Sequence, residues 1–318
     1  MSRNRDIEAS EPVNAARRAA PTHTDAIVAV HQRMLATSPA HGRHIQARAG
    51  HQIHVIEAGE GPPVVLLHGS GPTSLMFLPL IERLTGLRAI AVDRPGFGLS
   101  DPVDLPLARY REAVVEYLDS TLDALGLDET SLLGSSIGGT WAIWYALAHP
   151  NRLRRLVLMG APPLLPGTRV PPELRLVFAP KVAELLSHRM PWTAKSVVHH
   201  MAVMGEKNTI VNYPEQIQAL VAAGHDPLAA AVGLAEHRAY ITPLGFRRAL
   251  RIQRDELQQL TVATLLIWGD HDPMGGGHVA RATAHAMPRA QLQMLTAGHG
   301  PWLGHPDHTA QLVSNFAR

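Results

Sequence analysis

Cysteine is absent from the 318 residues. That excludes a disulfide framework, a thiol nucleophile and a thiolate metal site. An excess of one charge is missing too, with Lys+Arg 29 against Asp+Glu 27 and a formal net charge of +2. So balanced a chain has no field to attract nucleic acid or an anionic membrane, and neither is expected as a partner. Long apolar runs are lacking as well. None approaches the roughly 20 residues of a membrane span, and the opening "MSRNRDIEASEPVNAARRAAP" has no apolar core of the kind a secretory leader needs. A cytoplasmic location is the default expectation. Histidine, by contrast, is abundant at 19 residues, but the residues are scattered. The adjacent His199 and His200 point to different faces of a helix, whereas paired ligands want i, i+4 spacing or strand alternation. No metal and no cofactor are expected.

What is present is an ordinary globular composition, 46% hydrophobic and 18% charged. After a polar, Ala/Arg-rich stretch over 1–23, "TDAIVAVHQRMLA" (24–36) reads as an amphipathic helix with Thr24 as its N-cap. "HIQARAGHQIHVIEAG" (44–59) alternates and bends at Gly50, as an antiparallel hairpin does. Short, nearly continuous apolar runs follow at 62–69, 87–93, 130–135, 153–160 and 262–270, with a final strand at 290–298. Such runs suit strands buried on both faces of a parallel sheet. Helical stretches such as 110–126 fall between them, and 308–318 closes the chain. The fold class is α/β, a mostly parallel central sheet flanked by helices.

One interval breaks the rhythm. Residues 161–258 are helix-like, rich in Met, Leu and Ala, and punctuated by "APPLLPGTRVPPE", "MPW" and "NYPE". Their own apolar periodicity marks an inserted helical cap rather than a linker. The expected organisation is an N-terminal extension with one helix (1–43), a core (44–160 and 259–318) and the cap (161–258).

The stretch "SLLGSSIGG" (131–139) follows an apolar run and precedes an all-apolar helix. Strand, tight turn, helix is the reading, with two serines on the turn. Gly134 and Gly138 flank Ser136 at the crowded positions of a G-x-S-x-G elbow; centring it on Ser135 would put Leu133 and Ile137 there. Ser136 is therefore the candidate nucleophile. A serine hydroxyl needs a base, and the base needs a third group to hold its tautomer. "WGDHDPM" (268–274) and "AGHGPW" (297–302) each end a strand and supply Asp270 or Asp272 and then His299. "HGSGP" (68–72) ends another, and the backbone N–H groups of Ser70 and Ile137 are placed to form an oxyanion hole. The chemistry these groups imply is two-step acyl transfer through an acyl-enzyme.

These stretches, with "LLHGSGP", "AVDRPGFGLSD", "LIWGDHDP" and "AGHGPWLGHP", resemble the α/β-hydrolase superfamily from about residue 44 to 318. The resemblance implies that the second carboxylate of the "GDHD" turn, Asp272, is the triad acid, leaving Asp270 as turn-former. It also implies a helical cap above the site. A serine nucleophile is unlike the relatives that open epoxides or displace halide with an aspartate. "HGSGP" is similar to the carbon–carbon hydrolases of ring-fission products. Those carry Asn before the serine and Trp directly after the histidine, where this chain has Ser135 and Gly300, with Trp302 two further on. A carboxylesterase acting on an apolar ester, thioester or lactone is the expectation, with the carbon–carbon hydrolase and a non-catalytic ligand receptor as alternatives. Leu164, Leu165, Val177, Phe178, Trp192, Met201 and Met204 either line its pocket or form the cap's own core. The N-terminal helix either covers the cap or builds a homodimer.

Overall fold

The computed structural model describes residues 23–48, 50–71, 73–177 and 192–318. Eight strands form one sheet in the order β1-β2-β4-β3-β5-β6-β9-β10. They are β1 (His41–Gln46), β2 (Gln52–Ala58), β3 (Pro63–Leu67), β4 (Arg88–Val92), β5 (Thr130–Ser135), β6 (Leu153–Met159), β9 (Thr264–Gly269) and β10 (Ala290–Leu295). β1 and β2 pair antiparallel, as do β2 and β4; every other neighbour is parallel. The first hairpin is the one the alternation predicted, starting three residues earlier at His41.

Side-chain parity divides the core. Val65, Leu67, Leu132, Leu156, Leu158 and Trp268 face one layer, while Val64, Leu66, Leu133, Val157 and Ile267 face the other. Both layers are dry because helices cover both faces, which is why these strands carry continuous apolar runs rather than alternation. The first layer is completed by α2 (Tyr110–Ala124) and α3 (Ile137–Ala148). Trp141, Trp144 and Tyr145 of α3 are each fully buried, which accounts for a helix apolar on every side.

From β3 the chain steps outward to β4, then returns to the other side of β3 at β5. The loops leaving β3 and β5 therefore diverge at the carboxyl edge of the sheet. A crevice opens at such a reversal of strand order. "HGSGP" and the Ser136 turn are the loops that flank it.

The helix expected over 24–36 is α1 (Asp25–Ala36), which packs on α5 (Pro214–His225). Thr24 occupies the N-cap position, but its side chain makes no capping hydrogen bond. Instead its backbone N–H donates to Asp226 Oδ2 at 2.9 Å. Asp226 is the cap of α6 (Pro227–Tyr240), accepting from Ala229 N–H at 2.9 Å, so one carboxylate serves two helix starts. From α1, His31 reaches Asp93, to which His54 is also bonded at 2.8 Å; His31, His54 and Asp93 are all buried.

Between β6 and β9 the described residues carry α4 (Ala194–Val203), α5, α6 and a separate hairpin of β7 (Ile241–Thr242) and β8 (Gly245–Phe246). The hairpin is a departure from the helix-like reading. Two-residue strands are too short to show a period, and the turn at Gly245, with φ +108°, fixes them. Among the described residues no single helix is long and apolar enough to cross a membrane.

Candidate active site

Ser136 stands at the N-cap of α3 with φ 54° and ψ −125°. Among the described residues only Ser136 and Leu164 hold a positive φ without being glycine. This is the strained strand-to-helix turn that the glycine spacing predicted. A Cβ on Gly134 would lie 2.4 Å from Gly138 O, and one on Gly138 would lie 2.2 Å from Leu67 O. No side chain fits at either position. Ser135, one residue earlier, is the last residue of β5 and is buried. Ile137 N–H is the first of α3, where a helix supplies no internal acceptor.

The end of β6 gathers the other two groups around the serine. Met159 O accepts from Ser136 N–H at 3.3 Å. The next residue, Gly160, lies so close to His299 that a Cβ there would be 2.3 Å from its carbonyl oxygen and 3.4 Å from its Nδ1. The one after, Ala161, donates its N–H to Asp272 Oδ2 at 2.8 Å. Three consecutive residues thus touch Ser136, His299 and Asp272 in turn.

His299 Nδ1 bonds Asp272 Oδ2 at 2.8 Å, and Asp272 Oδ1 also accepts from Met274 N–H at 2.9 Å. The carboxylate is an acceptor, so the proton of the imidazole is on Nδ1. His299 Nε2 is buried and has no hydrogen-bond partner among the described residues. Burial works against the imidazolium, but the charge and hydrogen bond of Asp272, with a smaller push from Glu206, overcome it. The pKa of His299 is raised above its ordinary 6.5. Asp270 is partly exposed and closes the turn, accepting from Ala297 N–H at 3.2 Å and lying 2.6 Å from His271 Nδ1.

Several groups here went unremarked in the sequence. Glu206 is buried and accepts from Gly300 N–H at 2.8 Å, which ties the inserted segment to the histidine loop. His68 Nε2 accepts from Arg94 N–H at 2.9 Å, so His68 Nδ1 carries the proton it donates to Gly69 O at 2.7 Å. Burial, with Arg94 nearby, pushes His68 down to about 4 and keeps it neutral. His200 of α4 and His237 of α6 keep accessible surface, yet burial lowers both pKa values, His237 to about 4. His200 is within electrostatic reach of both His299 and His237, and His237 Nε2 lies 3.3 Å from Ser70 Oγ.

Of the side chains named for the pocket, Leu164, Leu165 and Met204 are buried in the core. Met201 is half-buried against the other core layer, and Trp192 is 40% exposed with its ring laid on Gly224. Phe178 and the Val177 side chain lie outside the described residues.

The model of the alpha/beta hydrolase fold family matches residues 62–188. Over 289 residues the chain is 30% identical to 2-hydroxymuconate semialdehyde hydrolase of Pseudomonas putida, covering 88% of this chain and 95% of that protein. The chain belongs to the α/β-hydrolase family. It is 29% identical to pimeloyl-[acyl-carrier protein] methyl ester esterase of a Shewanella species, covering 88% of this chain and 97% of the relative. Among solved structures, a meta-cleavage product hydrolase of Pseudomonas fluorescens matches with TM-score 0.68 and 25% identity over 86% of this chain and 96% of its own. A carboxylesterase of Bacillus subtilis shares the fold, with TM-score 0.66 at 22% identity over 91% and 96%. This α/β hydrolase therefore has relatives that cleave esters and relatives named for ring-fission products.

Proposed function

We propose that this α/β hydrolase is a serine carboxylesterase for neutral, apolar acyl groups. The observation that carries the reading is the buried His299–Asp272 pair, its Nε2 unpartnered among the described residues, at the sheet edge where Ser136 stands at positive φ. His299 Nε2 takes the proton of Ser136, whose Oγ attacks the ester carbonyl. The N–H groups of Ser70 and Ile137 hold the oxyanion, an interaction whose loss costs roughly 3–4 kcal/mol per donor in comparable sites. His299 then protonates the leaving alcohol, and water repeats the sequence on the acyl-enzyme. Asp272 stays ionised and holds the tautomer of His299. Residues 161–258 act as the cap, with His200 and His237 above the acyl group.

The test is labelling by a fluorophosphonate together with turnover of p-nitrophenyl esters. Labelling and hydrolysis that both vanish in Ser136→Ala support the reading. A protein that does not label is a ligand receptor on the same fold.

A second reading, carbon–carbon hydrolysis of ring-fission products, is favoured by the 30% identity to 2-hydroxymuconate semialdehyde hydrolase. Against it, the cation beside the site, Arg94, is committed to Glu236 and Gly69 O. A dienoate turned over faster than a simple aryl ester would establish it.

A further inference from the structure

Arg94, in the loop after β4, has no exposed side-chain surface. Its guanidinium lies over the rings of Trp141 and Phe97, at 4.7 and 5.1 Å from their centroids. It is paired through both terminal nitrogens with Glu236 of α6, Nη1 to Oε1 and Nη2 to Oε2 at 3.2 Å. The same Nη2 donates to Gly69 O at 2.9 Å, and Glu236 Oε2 accepts from Ser70 Oγ at 2.8 Å. One buried ion pair therefore grips both residues of the Gly69–Ser70 peptide.

The planar trans peptide turns that grip into a direction. Its carbonyl and its N–H point opposite ways, and none of the described peptide bonds is cis. Gly69 O is held on the core side by Arg94 and by His68 Nδ1–H at 2.7 Å. Ser70 N–H is thereby turned the other way. Gly69 also backs onto the serine, a Cβ built on it lying 3.1 Å from Ser136 Cβ. A buried ion pair is a poor source of net stability, because desolvating two charges offsets most of their attraction. Orienting a neighbouring amide is a role in which its fixed geometry matters more than its net energy.

We propose that Arg94 and Glu236 are positioning residues that aim the Ser70 amide at the oxyanion formed on attack by Ser136. This rests on the serine-hydrolase reading above. Because Glu236 belongs to the inserted segment and Arg94 to the core, the oxyanion hole is complete only with α6 seated. A flipped or loosened peptide leaves substrate binding in place and weakens the transition state.

The test compares the parent with Arg94→Met, Glu236→Gln and Ser70→Ala, each titrated for active sites with a fluorophosphonate and checked for folding by circular dichroism. With a p-nitrophenyl ester, kcat per titrated site should fall about 10- to 100-fold in Arg94→Met and Glu236→Gln while KM moves less than about threefold. Affinity for a trifluoromethyl ketone, which forms the oxyanion, should fall in step with kcat/KM. Ser70→Ala keeps the amide and loses only the Oγ anchor, so its loss should be smaller. If kcat per site and ketone affinity stay near parental in the folded variants, or if kcat falls while ketone affinity does not, the proposal is overturned. Should Arg94→Met fail to fold, Glu236→Gln, which keeps the shape and the bond to Ser70, decides on the same readouts. An inactive parent would refute the hydrolase reading itself, whereas an active parent with unchanged variants refutes only the positioning role.

Discussion

Two serines, two aspartates and a buried glutamate carry separable expectations. Ser136→Ala should reduce ester hydrolysis to background, while Ser135→Ala, inside β5, should keep most of it. A dead Ser135 variant that is still folded would put the elbow one residue out of register. Asp272→Asn should lower kcat by about 10³- to 10⁴-fold, because the amide favours the wrong tautomer of His299. Asp270→Asn, at a partly exposed turn, should be felt mainly in stability. Stopped assays of the two variants side by side decide the assignment, and a dominant loss at Asp270 reverses it. The pH profile tests Glu206. Hydrolysis needs neutral His299, so the acid limb of kcat/KM follows its raised pKa and lies above 6.5. Glu206 raises that pKa, so Glu206→Gln should move the limb to lower pH; an unmoved limb would mean its charge does not reach His299. Ser136 and His299 were candidates because each sits in a local motif with glycines at fixed offsets, whereas Asp272 was separated from Asp270 only by the family resemblance. Glu206 and Glu236 were not candidates, since their partners Gly300 and Arg94 lie 94 and 142 residues away. Nothing local marks such a pairing.

At the scale of elements, strands buried on both faces announced themselves as unbroken apolar runs, so β3 to β6 and β9 were readable almost to the residue. β10 is half-buried, as an edge strand is, and lies within the run 290–298 expected as the final strand. The β7–β8 hairpin escaped because two residues have no periodicity. α1 was readable as a helix from its period, but its docking was not: it lies on α5 and sends His31 to Asp93, so it covers the inserted segment. Ile27 of α1 is 1% exposed, beside buried Val30 and Met34. Ile27→Ala should therefore cost about 2–4 kcal/mol, the range for emptying a well-packed aliphatic site. Urea unfolding measures it, and kcat in the absence of denaturant should be close to parental. A loss below about 1 kcal/mol would show that α1 docks too loosely to be part of the fold.

For the whole molecule, the sequence placed the motif-bearing loops at the ends of strands, but it said little about the charge between them. Composition left the Leu and Met residues of the inserted segment either lining an apolar pocket or forming the cap's own core, and Leu164, Leu165 and Met204 are core residues. The inserted segment instead brings the imidazoles of His200 and His237 near His299 and Ser70. Burial lowers the pKa of His200, and that of His237 to about 4, so both are neutral at pH 7. Among the described residues Arg94 is spent on Glu236, and the charges that act on His299 are the carboxyls of Asp272 and Glu206. An acyl group ending in a carboxylate would gain no cationic partner from these described residues and would lie near two carboxyls. Burying an unpaired charge costs several kcal/mol after relaxation, and each 1.4 kcal/mol is about tenfold in rate. Butyrate and succinate monoesters of p-nitrophenol are of equal length and share a leaving group, so they isolate that charge. The butyrate should be hydrolysed with kcat/KM at least about 100-fold higher at pH 7, and the gap should narrow toward pH 5 as the succinyl carboxyl takes up a proton. Equal rates at pH 7 would mean that the acyl tail does not lie against His200 and His237. A succinate preference would mean that one of them is charged in the complex, which would strengthen the case for the ring-fission dienoates.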